Sequence, residues 1–165
     1  ARPTARLTKL TEGSAIACRI QIVPNGPYTS SNTNNKEKTM SSKTALIITS
    51  DPSAPGEEAI GRAFNALAAA LELDRAGDDV LVQFQGTGTR WPGVLSDPTH
   101  PLYGLFEAVR HTIKGASCGC AAQFGATETV QACGLPLLAE NPVPGTTGLA
   151  GLKSLIDDGY TPVVF

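Results

Sequence analysis

The chain has 165 residues, 41% of them hydrophobic, and sets 13 Lys and Arg against 15 Asp and Glu for a formal charge of −2. That length suits a single folded domain around one core. A charge so near zero gives no reason to expect a nucleic-acid partner, and no apolar run approaches the roughly 18 to 20 residues that span a bilayer, so no membrane partner is expected either.

The first 39 residues stand apart in charge. Arg2, Arg6, Lys9, Arg19, Lys36 and Lys38 against Glu12 and Glu37 give a net +4, which leaves −6 for residues 40–165. The stretch YTSSNTNNKEKT has too little apolar surface to offset the entropy of ordering it. Residues 1–39 therefore read as a basic N-terminal extension with a mobile linker. Within it Ile16, Cys18, Ile20 and Ile22 alternate with smaller or polar residues, the two-residue period of an edge strand. Arg19 and Gln21 interrupt the same stretch, so it does not read as the apolar core of a secretory signal. Met40, the only methionine, opens the domain 40–165.

From there strands and helices alternate. Residues 44–50 (TALIITS) are apolar without alternation, as in a strand buried on both faces. Residues 57–75 place Ile60, Phe64, Leu67, Ala68 and Leu71 at helical spacing, and Gly77 stops them. A second strand spans 79–85, followed by the glycine-bearing loop GTGTRWPG. A helix over 101–114 carries Leu102, Leu105, Phe106, Val109 and Ile113 on one stripe. The remaining elements are a short strand at 115–119, a helix at 120–132, a strand at 135–140, a helix at 148–158 and a strand at 161–165. Alternation of this kind predicts an α/β fold, a three-layer α/β/α sandwich on a mainly parallel five-stranded sheet. Chemistry in such folds gathers at the carboxyl ends of the strands.

The strongest local signal is Ser117-Cys118-Gly119-Cys120-Ala121-Ala122, where the third strand hands over to a helix. A thiol at a helix N-terminus feels the positive end of the peptide dipoles, and the thiolate is the nucleophile. Gly119 permits a tight turn and the close approach of a second molecule. Against this stands the plainer reading that small free cysteines fill space beside a sheet. Four cysteines, Cys18, Cys118, Cys120 and Cys133, are too few for a disulfide scaffold, which makes a reducing cytoplasm the expected compartment. C-x-C lacks the thioredoxin spacing, and a single close pair without a matching second does not make a zinc site, so no metal is expected.

The loop holding Arg90 and Trp91 lacks the Lys-Ser/Thr ending of a phosphate-binding loop. Those two residues could instead line a pocket or a subunit contact, with core packing the alternative for Trp91. His100, in the loop before the second helix, is the better functional histidine, and His111 reads as a surface residue. Cys133 reads as a buried position at a helix end.

Taken together, TALIITSDP, the strand DDVLVQF with Gly93-Val94 after it, and SCGCAAQFGA resemble the DsrE/DsrF-like family of small sulfur-relay proteins over residues 43–165. The resemblance implies five mainly parallel strands, trimers or hexamers, and a cysteine that accepts and passes on sulfur as a persulfide, with no organic cofactor. Its partners would be sulfur donor and acceptor proteins or small thiols. Where some members carry C-x-x-C this chain has C-x-C, and the spacing to Gly125 favours Cys120 as the carrier, with Cys118 the alternative and second thiol. Arg90 and His100 would stabilise the thiolate or hold an anionic donor. Two other readings remain: a noncatalytic small-molecule-binding or assembly module, and redox sensing through a Cys118–Cys120 disulfide.

Overall fold

The computed structural model describes residues 41–165. The basic extension, the strand read around Ile16 and Ile22, and Cys18 lie outside the described residues. The first parallel unit is β1 (Lys43–Ile48), α1 (Glu58–Ala76) and β2 (Asp79–Phe84). A 3₁₀ turn (Gly86–Arg90), α2 (Trp91–Leu95), α3 (Tyr103–Ala108) and a second 3₁₀ turn (Arg110–Thr112) lead to β3 (Ile113–Ser117). Then come α4 (Cys118–Gln123), α5 (Thr127–Ala132), β4 (Leu137–Leu138), α6 (Leu152–Asp157) and β5 (Thr161–Val164). All five strands are parallel, in the order β4-β3-β2-β1-β5.

Alternation along the central strands divides the interior into two unequal layers. Leu46, Ile48, Val82 and Phe84 face α1 and α3 with Ala63, Leu67, Ala70 and Phe106 in the larger core. Ala45 and Ile47 point the other way and meet Leu155 of α6 in the smaller one. The result is the expected three-layer α/β sandwich. Four of the five fully buried side chains of α1 are alanines, which lets the helix lie close on the sheet. Its stop is the one expected at Gly77, left-handed at φ 82°, whose N–H and that of Asp78 bond back into the last turn.

Several boundaries differ from the sequence reading: the third strand ends at Ser117 and not at 119, which puts Cys118 and Gly119 in a helix, the fourth is only Leu137–Leu138, and the last helix starts at Leu152 and not at 148. The second helix ends at Ala108, and Ile113 begins β3 instead of closing a helical stripe. β-Branched Thr112 and Ile113 suit an extended chain better than a helix end, and Thr112 Oγ1 donates to the Val109 carbonyl at 2.8 Å to close the turn. The single helix expected over 120–132 is two, parted where Gly125 takes a left-handed φ of 68°. The loop GTGTRWPG is almost entirely wound into the 3₁₀ turn and α2. No helix among the described residues is long and apolar enough to cross a membrane.

Candidate functional site

The carboxyl end of β3 delivers both cysteines into the first turn of α4, Cys118 as its first residue and Cys120 as its third. Both thiols are free and half-buried. Ala121, fully buried in the larger core, fixes which way the helix faces. Successive residues of a helix turn by about 100°, so residues two apart point to opposite sides. Cys118 and Cys120 therefore diverge, and a disulfide between them requires this turn to unwind.

Each cysteine shares a helix face with the residue four positions on. For Cys118 that residue is Ala122, which with Gly119 and Gln123 forms one wall of a cavity of about 300 Å³ whose other wall is Gly145, Thr146 and Thr147. For Cys120 it is Phe124, whose ring lies 5.8 Å from the Arg90 guanidinium carbon. Arg90 also donates through Nε to the Phe124 carbonyl at 3.1 Å, placing a cation at the C-terminal end of α4. Its Nη1 meets Asp51 Oδ2 at 3.0 Å. Asp51 is held below its ordinary pKa chiefly by the Ser53 backbone N–H that it accepts, which outweighs the opposing effect of burial, and further by the charge and hydrogen bond of Arg90 beside it. Arg90 is thus a clamp joining the loop after β1 to the cysteine helix, and its charge is matched within the chain.

Gly119 does not open the site to a second molecule. The chain's own loop occupies that approach: the Gly119 N–H donates to the Gly148 carbonyl at 2.6 Å. A β-carbon at Gly119 would stand 2.8 Å from that oxygen and 2.8 Å from Leu149 Cδ2. The loop is closed at its base by the paired backbone bonds of Asn141 and Leu149, 2.9 and 2.8 Å. Of the four donors that a helix start leaves free, the Gly119 amide is consequently spent inside the fold. α4 itself is only six residues long, which leaves few aligned dipoles.

The other expected site residues lie elsewhere. Trp91 is 2% exposed and packs in the larger core, its Nε1–H donating to the Ser50 carbonyl at 2.8 Å. The 3₁₀ turn and α2 swing the indole inward. His100 caps its own loop, Nδ1 accepting the Leu102 N–H at 3.2 Å, and sits edge-on to Trp91 with ring centroids 6.5 Å apart. None of these contacts reaches α4. His111 lies at the surface against Asp74, 3.0 Å away. Cys133 accepts from Ser96 Oγ at 3.3 Å. Gly88 is buried so close to β1 that a β-carbon there would overlap the Ile48 carbonyl, so glycine is needed at this place for packing.

The sequence reading missed three residues that matter here. Asp51 is marked only by the Ser-Asp-Pro turn, Phe124 by nothing except its place four residues after Cys120, and Gln83 by being polar within an otherwise apolar strand. Among the described residues no three His, Cys, Asp or Glu side chains gather as metal ligands. A separate cavity of about 290 Å³ opens at the carboxyl end of β1, walled by Thr49, Ser50 and Asp51 on one side and Glu58, Ala59 and Arg62 of α1 on the other. No family model, no curated protein and no solved structure matches this chain.

Proposed function

We propose that this protein is a sulfur carrier of the DsrE/DsrF-like kind, with Cys120 as the carrier thiol. The observation that supports the reading best is the placement of a half-buried free thiol in the first turn of α4, at the carboxyl end of an inner strand of a parallel sheet. Cys120 as thiolate attacks the outer sulfur of a donor persulfide. The donor's S–S bond breaks, the donor leaves as a thiolate, and Cys120 becomes the persulfide; attack on that outer sulfur by an acceptor thiolate returns Cys120 to its starting state. No net oxidation occurs, so no redox cofactor is required. Cys118 faces away from Cys120 and serves as a second thiol only after the turn opens. The Arg90 clamp holds the helix while donor and acceptor, protein or small thiol, come and go. A reducing cytoplasm suits the free thiols, and assembly into a trimer or hexamer belongs to the same proposal, read out by light scattering.

The testing experiment is intact-mass analysis of the reduced protein after exposure to a persulfide donor. Gain of one sulfur atom by the wild type and Cys118→Ser, and none by Cys120→Ser, is the expected pattern; uptake that persists in Cys120→Ser removes it from the carrier role. The cavity between β1 and α1 favours a second reading, a noncatalytic small-molecule-binding module. Under that reading no variant takes up sulfur, and replacing both cysteines by Ser leaves ligand affinity unchanged.

A further inference from the structure

Gln83 sits in β2 near the middle of the sheet, between Ile47 of β1 and Gly115 of β3, and is wholly screened from solvent. Its neighbours Val82 and Phe84 enter the larger core, so Gln83 projects to the α6 side, the side of Ile47 and Leu81. Neither Oε1 nor Nε2 of its carboxamide has a hydrogen-bond partner within the described residues. Side-chain polar groups buried this deeply are nearly always partnered, because burial strips their hydration and returns nothing if no bond replaces it.

A complementary group lies on the next strand. Ser117 is also fully buried, and its neighbour Ala116 enters the larger core, which turns Ser117 to the same side as Gln83. Ser117 Oγ accepts the Ala150 N–H at 3.1 Å; a hydroxyl that accepts there still has its own proton to donate. With Gln83 in register with Gly115, Ser117 is its diagonal neighbour on the next strand, and the two side chains make no direct bond. A molecule that both accepts and donates would satisfy both.

We propose that this place is an internal hydration site: one water bridges the two side chains, accepting the Ser117 hydroxyl proton and donating to Gln83 Oε1. A donor from Ser117 and an acceptor on Gln83 supply the two partners that a buried water needs. Ser117 directly precedes Cys118, so the hydrated pair seats the junction from which α4 departs. The site stands whatever chemistry the cysteines perform.

Two measurements test it. A crystal structure of the full chain at a resolution that shows ordered solvent is expected to place a water within hydrogen-bond distance of both Gln83 and Ser117 Oγ. A dry Gln83, a Gln83 bonded directly to Ser117, or a water that touches only one of the two overturns the proposal. The second measurement is urea unfolding of Gln83→Met, which replaces the carboxamide by an apolar side chain of similar size. Removing a bare amide raises the midpoint, whereas removing a hydrated one strands the Ser117 proton and lowers it; the proposal requires the lower midpoint together with a shifted Ala150 amide resonance. Should that variant fail to fold, the crystallographic result decides alone.

Discussion

Replacing Gly119 by Ala should separate the cysteine helix from the loop that leans on it. The new methyl would stand 2.8 Å from both the Gly148 carbonyl oxygen and Leu149 Cδ2, and 3.4 Å from Thr146 Cβ. The first of these is backbone and cannot rotate away. Overpacking of this kind costs about 1–3 kcal/mol, and moving the loop also breaks the Gly119–Gly148 hydrogen bond, adding about 0.5–1.5 kcal/mol. Alanine's better helix propensity returns at most about 1 kcal/mol, so the net loss is about 0.5–3.5 kcal/mol with that return counted in full. The control is Gly61→Ala, in α1, where a β-carbon meets nothing within 4 Å; relief of glycine's backbone entropy there should stabilise by about 0.5–1 kcal/mol. Urea unfolding followed by far-ultraviolet circular dichroism reads both. Opposite signs are expected, and a Gly119→Ala protein as stable as Gly61→Ala would show that the loop does not rest on α4.

Trp91→Phe leaves the Ser50 carbonyl without its indole donor and opens space in the core, so it should destabilise by about 1–3 kcal/mol; circular dichroism must follow it, because Trp91 is the only tryptophan. Asp51, whose pKa is lowered chiefly by the Ser53 amide and by Arg90, favours its ionised form in the fold. Its contribution is therefore fully present above about pH 4 and is lost as pH falls below that. Wild-type stability should drop more steeply between about pH 4 and pH 2 than that of Asp51→Asn, and identical slopes would separate Asp51 from the acid response. Mild oxidation of the folded protein should leave Cys118 and Cys120 unlinked, since they point apart on α4, while the same treatment in urea should link them. A disulfide forming as fast in the native state would mean that the first turn is not helical in solution.

The parallel fold was legible because its signals are local and repeated. TALIITS reads as a doubly buried strand, and Gly77 ends α1 where a left-handed residue is needed. Less legible were elements whose ends are set by partners far along the chain. Ile113 continues the helical stripe of Leu105 and Val109 in sequence, yet it pairs with Val82 in the sheet, a contact that no local period reveals. Cys118 and Cys120 were recognisable from their place after the third strand, but their divergence depends on the helix beginning one residue after Ser117. Arg90 was a candidate on chemistry alone, and its role follows from Asp51 and Phe124, 39 and 34 residues away. Trp91 stands beside Arg90 in a loop after a strand, a place that suggests a pocket or subunit contact, yet the turn after β2 winds inward and buries the indole in the larger core with His100 edge-on to it.

The proposed relay holds its sulfur on Cys120 and not on the neighbour two residues away. Loading the reduced wild-type protein with a persulfide donor, blocking free thiols, digesting it and sequencing the peptide across 115–132 by tandem mass spectrometry locates the added atom directly. A Cys120 carrier requires the persulfide on Cys120 with Cys118 blocked as a free thiol, and its loss when an acceptor thiol is added before blocking. Sulfur found on Cys118, or spread equally over all the cysteines of the chain, contradicts it.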